Sequence, residues 1–256
     1  MKAHSLSATA GWRWLTDSWR IYRRAPAQLL FVVSLYWIVV LVLNIVPLVG
    51  PLMAAIAIPG LSVGVMNACR DLDEGRVPPT NALFSAFRGS GQTLLTLGVL
   101  YLSLTMLVLL LAALVDGGEF VRSLMTGKRP DDAAVESGDS LWSALLLFSL
   151  LLPLMMAYWF GPMLAAWYRL PAIKALFFSL VACAMNWKPF LVYALSLLAM
   201  VVIPFVALGV AVEVFPRAAS TFSFLLSLPV LLCFVPVVFA SFYVSYREIF
   251  GVSEIV

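Results

Sequence analysis

The side chains able to do chemistry are few and scattered. The one histidine is His4, and the three cysteines, Cys69, Cys183 and Cys233, stand far apart in apolar surroundings. A structural metal site or a redox pair needs ligands at short spacing, and there is no CxxC or Cys/His cluster. HExxH is absent as well. No two carboxylates lie at helical spacing within an apolar run, as an intramembrane acid/base pair would require. Gly89-Ser90-Gly91 is not followed by the GK[ST] of a phosphate loop and reads as a turn. These residues predict no catalytic site, no metal and no cofactor. The most polar residues inside apolar runs are Asn44 and Asn67. They lie toward opposite ends of neighbouring runs, so they are not expected to pair. Asp116 and Glu213 fall at run ends.

The elements that would hold these residues are set by the solvent. Of 256 residues, 63% are hydrophobic and 11% charged, with a mean hydropathy of +1.02. A soluble domain carries about twice that charged fraction. Lipid is therefore the expected surroundings, and each crossing needs about 20 apolar residues. Six runs qualify: 27–49, 52–69, 93–115, 141–168, 189–212 and 221–246. The expected fold is all-α, with six transmembrane helices. The first run is span-length and predicts a retained helix, not a cleaved leader. Gly50-Pro51 reads as the turn of a first hairpin. The formal charge of +3 is too small to suggest nucleic acid.

Orientation follows from lysine and arginine. With the N-terminus inside, twelve bases fall on inner segments and four on outer ones, Arg122, Lys128, Arg129 and Arg217. The positive-inside rule then puts both termini in the cytoplasm. The Asp116–Ser140 stretch, acidic overall, falls outside, and residues 247–256 form a cytoplasmic tail.

Residues 1–26 precede the first run, and 9–25 have helical character. Trp12, Leu15, Trp19 and Tyr22 share one face, while Arg13, Asp17, Arg20 and Arg24 share another; Arg23 adds a further charge. Tryptophans opposite arginines predict an amphipathic helix in the headgroup plane. It would meet anionic lipid at about 1 kcal/mol per arginine. Its reading is an anchor that sets the angle of the first span; lipid sensing or partner docking is the sharper alternative. Short segments at 82–88 and 174–180 precede the third and fifth runs in the same way. Pro59 precedes Arg70 by the same interval as Pro236 precedes Arg247. These likenesses predict three copies of one unit, a short helix then a span out and a span back, divided near 79 and 171.

Gly60, Gly64 and Ala68 repeat every four residues, a small face that lets helices approach closely in lipid. Pairing with the first span is the plain reading, and homodimerisation the sharper one. Prolines within the runs (Pro47, Pro59, Pro153, Pro162, Pro204, Pro229 and Pro236) predict kinks. Their freed carbonyls could instead line a substrate path.

Several segments carry a resemblance to a known group. They are Ile21-Tyr22-Arg23-Arg24-Ala25-Pro26, Pro47-Leu48-Val49-Gly50-Pro51, Leu61 to Arg70, Met156 to Pro162, Lys174 to Trp187 and Ser245 to Phe250. The chain resembles a family of proteobacterial multi-pass inner-membrane proteins of unknown function. In layout it is distantly similar to the membrane portion beside some glycerophosphodiester phosphodiesterases, although no phosphodiesterase domain is present. The resemblance implies location and topology and supplies no activity.

The sequence thus predicts a non-enzymatic inner-membrane scaffold, assembly or envelope component. Its expected partners are anionic lipid and a second copy or another membrane protein. The alternative is a transporter, channel or lipid-handling protein with a path between the units. A water-filled cavity reaching Asn44 or Asn67 would favour that alternative. A packed bundle with an apolar groove open to lipid would favour the scaffold or lipid binding.

Overall fold

The computed structural model describes residues 2–118, 139–214 and 230–251, with Arg122 and Thr221. Most of the acidic stretch between the third and fourth runs, Arg217, and the first part of the sixth run lie outside the described residues. Every described element is helical. Among the described residues, six helices are long and apolar enough to cross a bilayer.

The first helix, α1 (Ala10–Arg24), ends at Ala25, which is extended (φ −151°, ψ 67°). Pro26 explains this, because a proline pushes the preceding residue out of the helical region. Pro26 then opens α2 (Pro26–Leu43), where its missing N–H costs nothing.

The first hairpin turns earlier than the sequence suggests. Helix α2 stops at Leu43, Asn44 to Leu48 form the connection, and α3 (Val49–Asp73) already contains Gly50 and Pro51 in its first turn. Proline is tolerated there but breaks a helix interior, so Pro47 makes the break. Asn44 folds its amide onto the Val40 carbonyl at 2.7 Å and closes the helix end. Gly50 is the close-approach point, since a Cβ would overlap the Leu43 carbonyl.

After a 3-10 turn at Ala82–Phe84 comes α4 (Ser85–Asp116), bent where Ser90 departs from helical geometry (φ −133°). The glycines on either side allow the bend. Helix α5 (Asp139–Trp167) and the short α6 (Ala172–Met185) form an antiparallel pair. Then come α7 (Trp187–Val214), a π turn at Val230–Phe234, and α8 (Val235–Phe250). Arg247 therefore lies inside α8, where the sequence places the start of a tail.

The order short helix, long helix, long helix occurs three times. The three returning helices, α3, α5 and α8, lie toward the middle. On each sits the short element of the next unit: the Ala82–Phe84 turn on α3, α6 on α5, and α1 on α8. Because α1 comes from the chain's start and α8 from its end, these contacts close a ring. Small residues make the seats. A Cβ on Gly64 would overlap the Leu83 carbonyl, and one on Gly161 would stand 3.0 Å from the Leu176 side chain. So the Gly60–Gly64–Ala68 face does not take α2 as its partner. Gly60 meets the Phe87 ring and Gly64 the Leu83 backbone, and Ala68 is buried.

Two helix defects are repaired across these seats. The Ser179 hydroxyl of α6 enters the hydrogen-bond ladder of α5. It accepts from Phe160 N–H at 2.9 Å and donates to the Met156 carbonyl at 2.7 Å. In α8, Pro236 cannot donate to the carbonyl four residues back, Leu232, and the Tyr22 hydroxyl of α1 donates to it at 2.9 Å. The carbonyl freed by Pro236 is thus satisfied by a neighbouring side chain, as lipid demands.

Packing is graded along the bundle. Helix α5 is 29 residues, roughly 43 Å at 1.5 Å per residue, against a hydrocarbon core of about 30 Å. The core is densest at the basic end. There Trp159 stacks on Phe242 at 4.4 Å, Trp167 meets Tyr246 at 4.7 Å, and Phe160 meets Phe250 at 5.5 Å. At the other end, Leu41, Leu114 and Ile203 are open to lipid.

Candidate functional site

The basic end gathers most of the described charges. Asp73, which closes α3, accepts from Arg247 at 2.6 Å and from the Tyr243 hydroxyl at 3.1 Å. Arg24 reaches the Asp73 carboxylate at 3.7 Å and its carbonyl at 3.0 Å. Arg247 also faces Asp17 at 3.5 Å, and Arg13 faces Glu248 at 3.6 Å. Together these pairs tie α1, α3 and α8 where the ring closes. Beside them Arg76 bonds Asp71 at 2.7 Å and also Glu74, and Arg70 bonds Glu74 at 3.1 Å. Partial desolvation disfavours the Glu74 charge, but the bonds from Arg70 and Arg76 outweigh it and hold the carboxyl below its usual range.

Removing one partner should leave a half-buried charge unpaired, which costs 3–5 kcal/mol in a fully buried pair. Arg247 and Asp73 keep 24% and 17% exposure, so Arg247→Ala is expected to cost less, about 2 kcal/mol. Unfolding in a denaturing-detergent titration checks this. Combining it with Asp73→Asn should cost less than the two single changes added, because both break one network.

Helix α1 packs against the bundle along one face. Its buried face is Ala10, Gly11, Trp14, Leu15, Ser18, Ile21 and Tyr22. Trp14 is fully buried, 5.1 Å from the Phe190 ring and 5.7 Å from Tyr193. A Cβ on Gly11 would overlap the Pro189 carbonyl, so glycine lets α1 touch the α7 backbone. The preceding segment is pinned too. Asn186, buried between α6 and α7, accepts from Leu6 N–H at 2.9 Å and donates to the His4 carbonyl at 3.0 Å. The helix is wedged against α7 and α8, not laid free on the surface. Trp12 and Trp19 remain 53% and 41% exposed.

That wedge roofs an apolar groove of about 580 Å³ between α1, α7 and α8. Trp12, Leu15 and Trp19 form its roof, and Met200, Pro204 and Val237 its walls, with Arg20 and Arg23 at the rim. A second trough of about 630 Å³ adjoins it along α7 and shares Trp12, Met200 and Pro204. Arg13, Arg20 and Arg24 each face a carboxylate. Arg23 has no ion pair or hydrogen bond among the described residues.

A smaller cavity of about 240 Å³ lies among the returning helices, lined by Pro59, Ser62, Tyr101, Tyr158, Pro162 and Phe239 among others. Asn67 is spent elsewhere. Its amide donates to Ser85 at 2.8 Å, and its oxygen accepts from the Trp167 indole at 2.8 Å. Asn44 is exposed and bonded within its own helix. The two candidate polar positions do not meet, and each is saturated locally.

Sequence reasoning found the rim residues Trp12, Trp19, Arg20 and Arg23. It missed Trp14, Asp73, Tyr243 and Asn186, which bond or pack across distant segments. The one available signal was the Gly11–Trp14–Ser18 spacing, a small-large-small face beside the tryptophans. Helix α6 also differs: its outer face carries Ile173, Phe177, Phe178 and Met185, so it faces lipid with apolar residues. Its small face, Ala175, Ser179, Ala182 and Cys183, is buried.

No protein-family model and no solved structure matches the sequence. A protein of Burkholderia thailandensis named "Probable inner membrane protein" is 33% identical over 261 residues, covering 99% of this chain and 96% of that one. Six apolar helices and near-full-length identity agree on a multi-pass protein of the bacterial inner membrane. The chain belongs to the family of this Burkholderia inner membrane protein.

Proposed function

We propose that the protein is a non-enzymatic scaffold or assembly component of the inner membrane, with both termini in the cytoplasm and its packed basic end on the cytoplasmic leaflet. The observation that carries this reading is how the polar groups are used. The ionic groups of α1, α3 and α8 mostly pair with one another, the two asparagines are bonded locally, and an apolar groove is left open to lipid. A scaffold needs such a rigid end with an accessible apolar flank; catalysis needs polar groups held in reserve. Lysine and arginine, twelve against four, support the orientation. A fluorescent reporter fused after Val256 should be active in the cytoplasm. A periplasmic enzyme fused at the same point should be silent, and activity there would overturn the orientation.

The central cavity supports a second reading, a path between the units for a small apolar molecule. Under it, Tyr158→Trp would block passage and leave folding intact.

A further inference from the structure

We propose that the two troughs beneath α1 hold one diacyl glycerophospholipid of anionic headgroup, with a chain in each trough and the phosphate on Arg23. This deepens the reading above and rests on the basic end facing the cytoplasmic leaflet. Three observations converge. The troughs adjoin and share Trp12, Met200 and Pro204, so they offer two apolar slots meeting at one mouth. That is the shape of two chains joined at one glycerol. Their linings are almost wholly apolar, which suits chains and not a polar solute.

The rim carries the charge complement. Among the described residues Arg23 has no partner, whereas its neighbours on α1 are neutralised by Glu248, Asp17 and Asp73. A guanidinium offers a planar fork of donors that matches phosphate geometry. Arg20 lines the same rim but shares its charge with Asp17 at 2.7 Å, so it plays the lesser part. Exposed Trp12 and Trp19 flank the mouth, and indoles reside by preference at the membrane interface. The roof is fixed and not adaptable, because Trp14 and the Tyr22–Leu232 bond hold α1 from behind.

The test is native mass spectrometry of the full chain in neutral detergent, supplied with equal phosphatidylglycerol and phosphatidylcholine. A single retained phosphatidylglycerol is expected. Arg23→Gln, an exposed change, should cut the preference for it about five-fold. Met200→Trp, which crowds the place where the two troughs meet, should abolish retention of either lipid, with thermal melting as the check on folding. Should that variant fail to fold, Arg23→Gln decides alone.

Equal retention of the two lipids by the unaltered protein would overturn the proposal. So would an unchanged preference in Arg23→Gln, or retention surviving Met200→Trp. Inorganic phosphate that displaces phosphatidylglycerol at millimolar concentration would also overturn it, by showing a free-anion site. Detergent has no sides, so these outcomes are independent of the reporter result on orientation.

Discussion

Replacing Trp14 with alanine should destabilise the protein by about 3–5 kcal/mol, while Trp12→Ala should cost about 0.5 kcal/mol or less. The two tryptophans are two residues apart on one helix and look alike in sequence. Trp14 is fully buried against Phe190 and Tyr193, so truncation opens a cavity that rigid neighbours cannot fill. Trp12 is 53% exposed over the groove, so its truncation only changes what lipid touches. Detergent-denaturation curves measure both. Equal, small losses would mean that α1 does lie loose on the bilayer surface. The wedge that roofs the groove would then not exist.

Gly64→Leu should cost more than about 3 kcal/mol and Gly64→Ala only somewhat less, above the usual overpacking penalty of 1–3 kcal/mol. The obstacle at Gly64 is the Leu83 backbone, which cannot turn aside as a side chain would. The helix and the turn must separate, and the bond from Asn67 to Ser85 would stretch with them. Gly209→Ala is the control, since a Cβ there meets nothing within 4 Å. It should be neutral or slightly stabilising, because alanine favours a helix interior. Unchanged melting of Gly64→Leu would show that the small face packs on nothing, and the ring would lose its first seat.

Much of the architecture was legible because lipid is a strict solvent. The run 189–212 is apolar almost throughout, and in hydrocarbon only a helix satisfies its backbone. Helix ends were harder to read. At the first hairpin, Gly50-Pro51 looked like the turn, yet a proline in a first helical turn is harmless and Pro47 made the break. For α1 the arginine face was legible, but the buried face was not. Hydropathy cannot tell an apolar residue that faces lipid from one that faces protein. Trp14 and Trp19 therefore carried the same signal. Asp73 drew no notice in the sequence, because its partners Arg247 and Tyr243 lie over 160 residues away. The Tyr22 bond to Leu232 could not be read either, although Pro236 announced that some carbonyl would need a donor.

By itself, the sequence determined that this chain spans a membrane as apolar helices with its bases gathered toward one side. Both follow from transfer free energies that act residue by residue, whatever the neighbours. Tertiary structure alone decided which short helix seats on which returning helix, which arginine of α1 is left without a carboxylate among the described residues, and where an apolar groove stays open. Those depend on contacts between segments far apart in the chain, and lipid is too similar to a protein interior for hydropathy to reveal them.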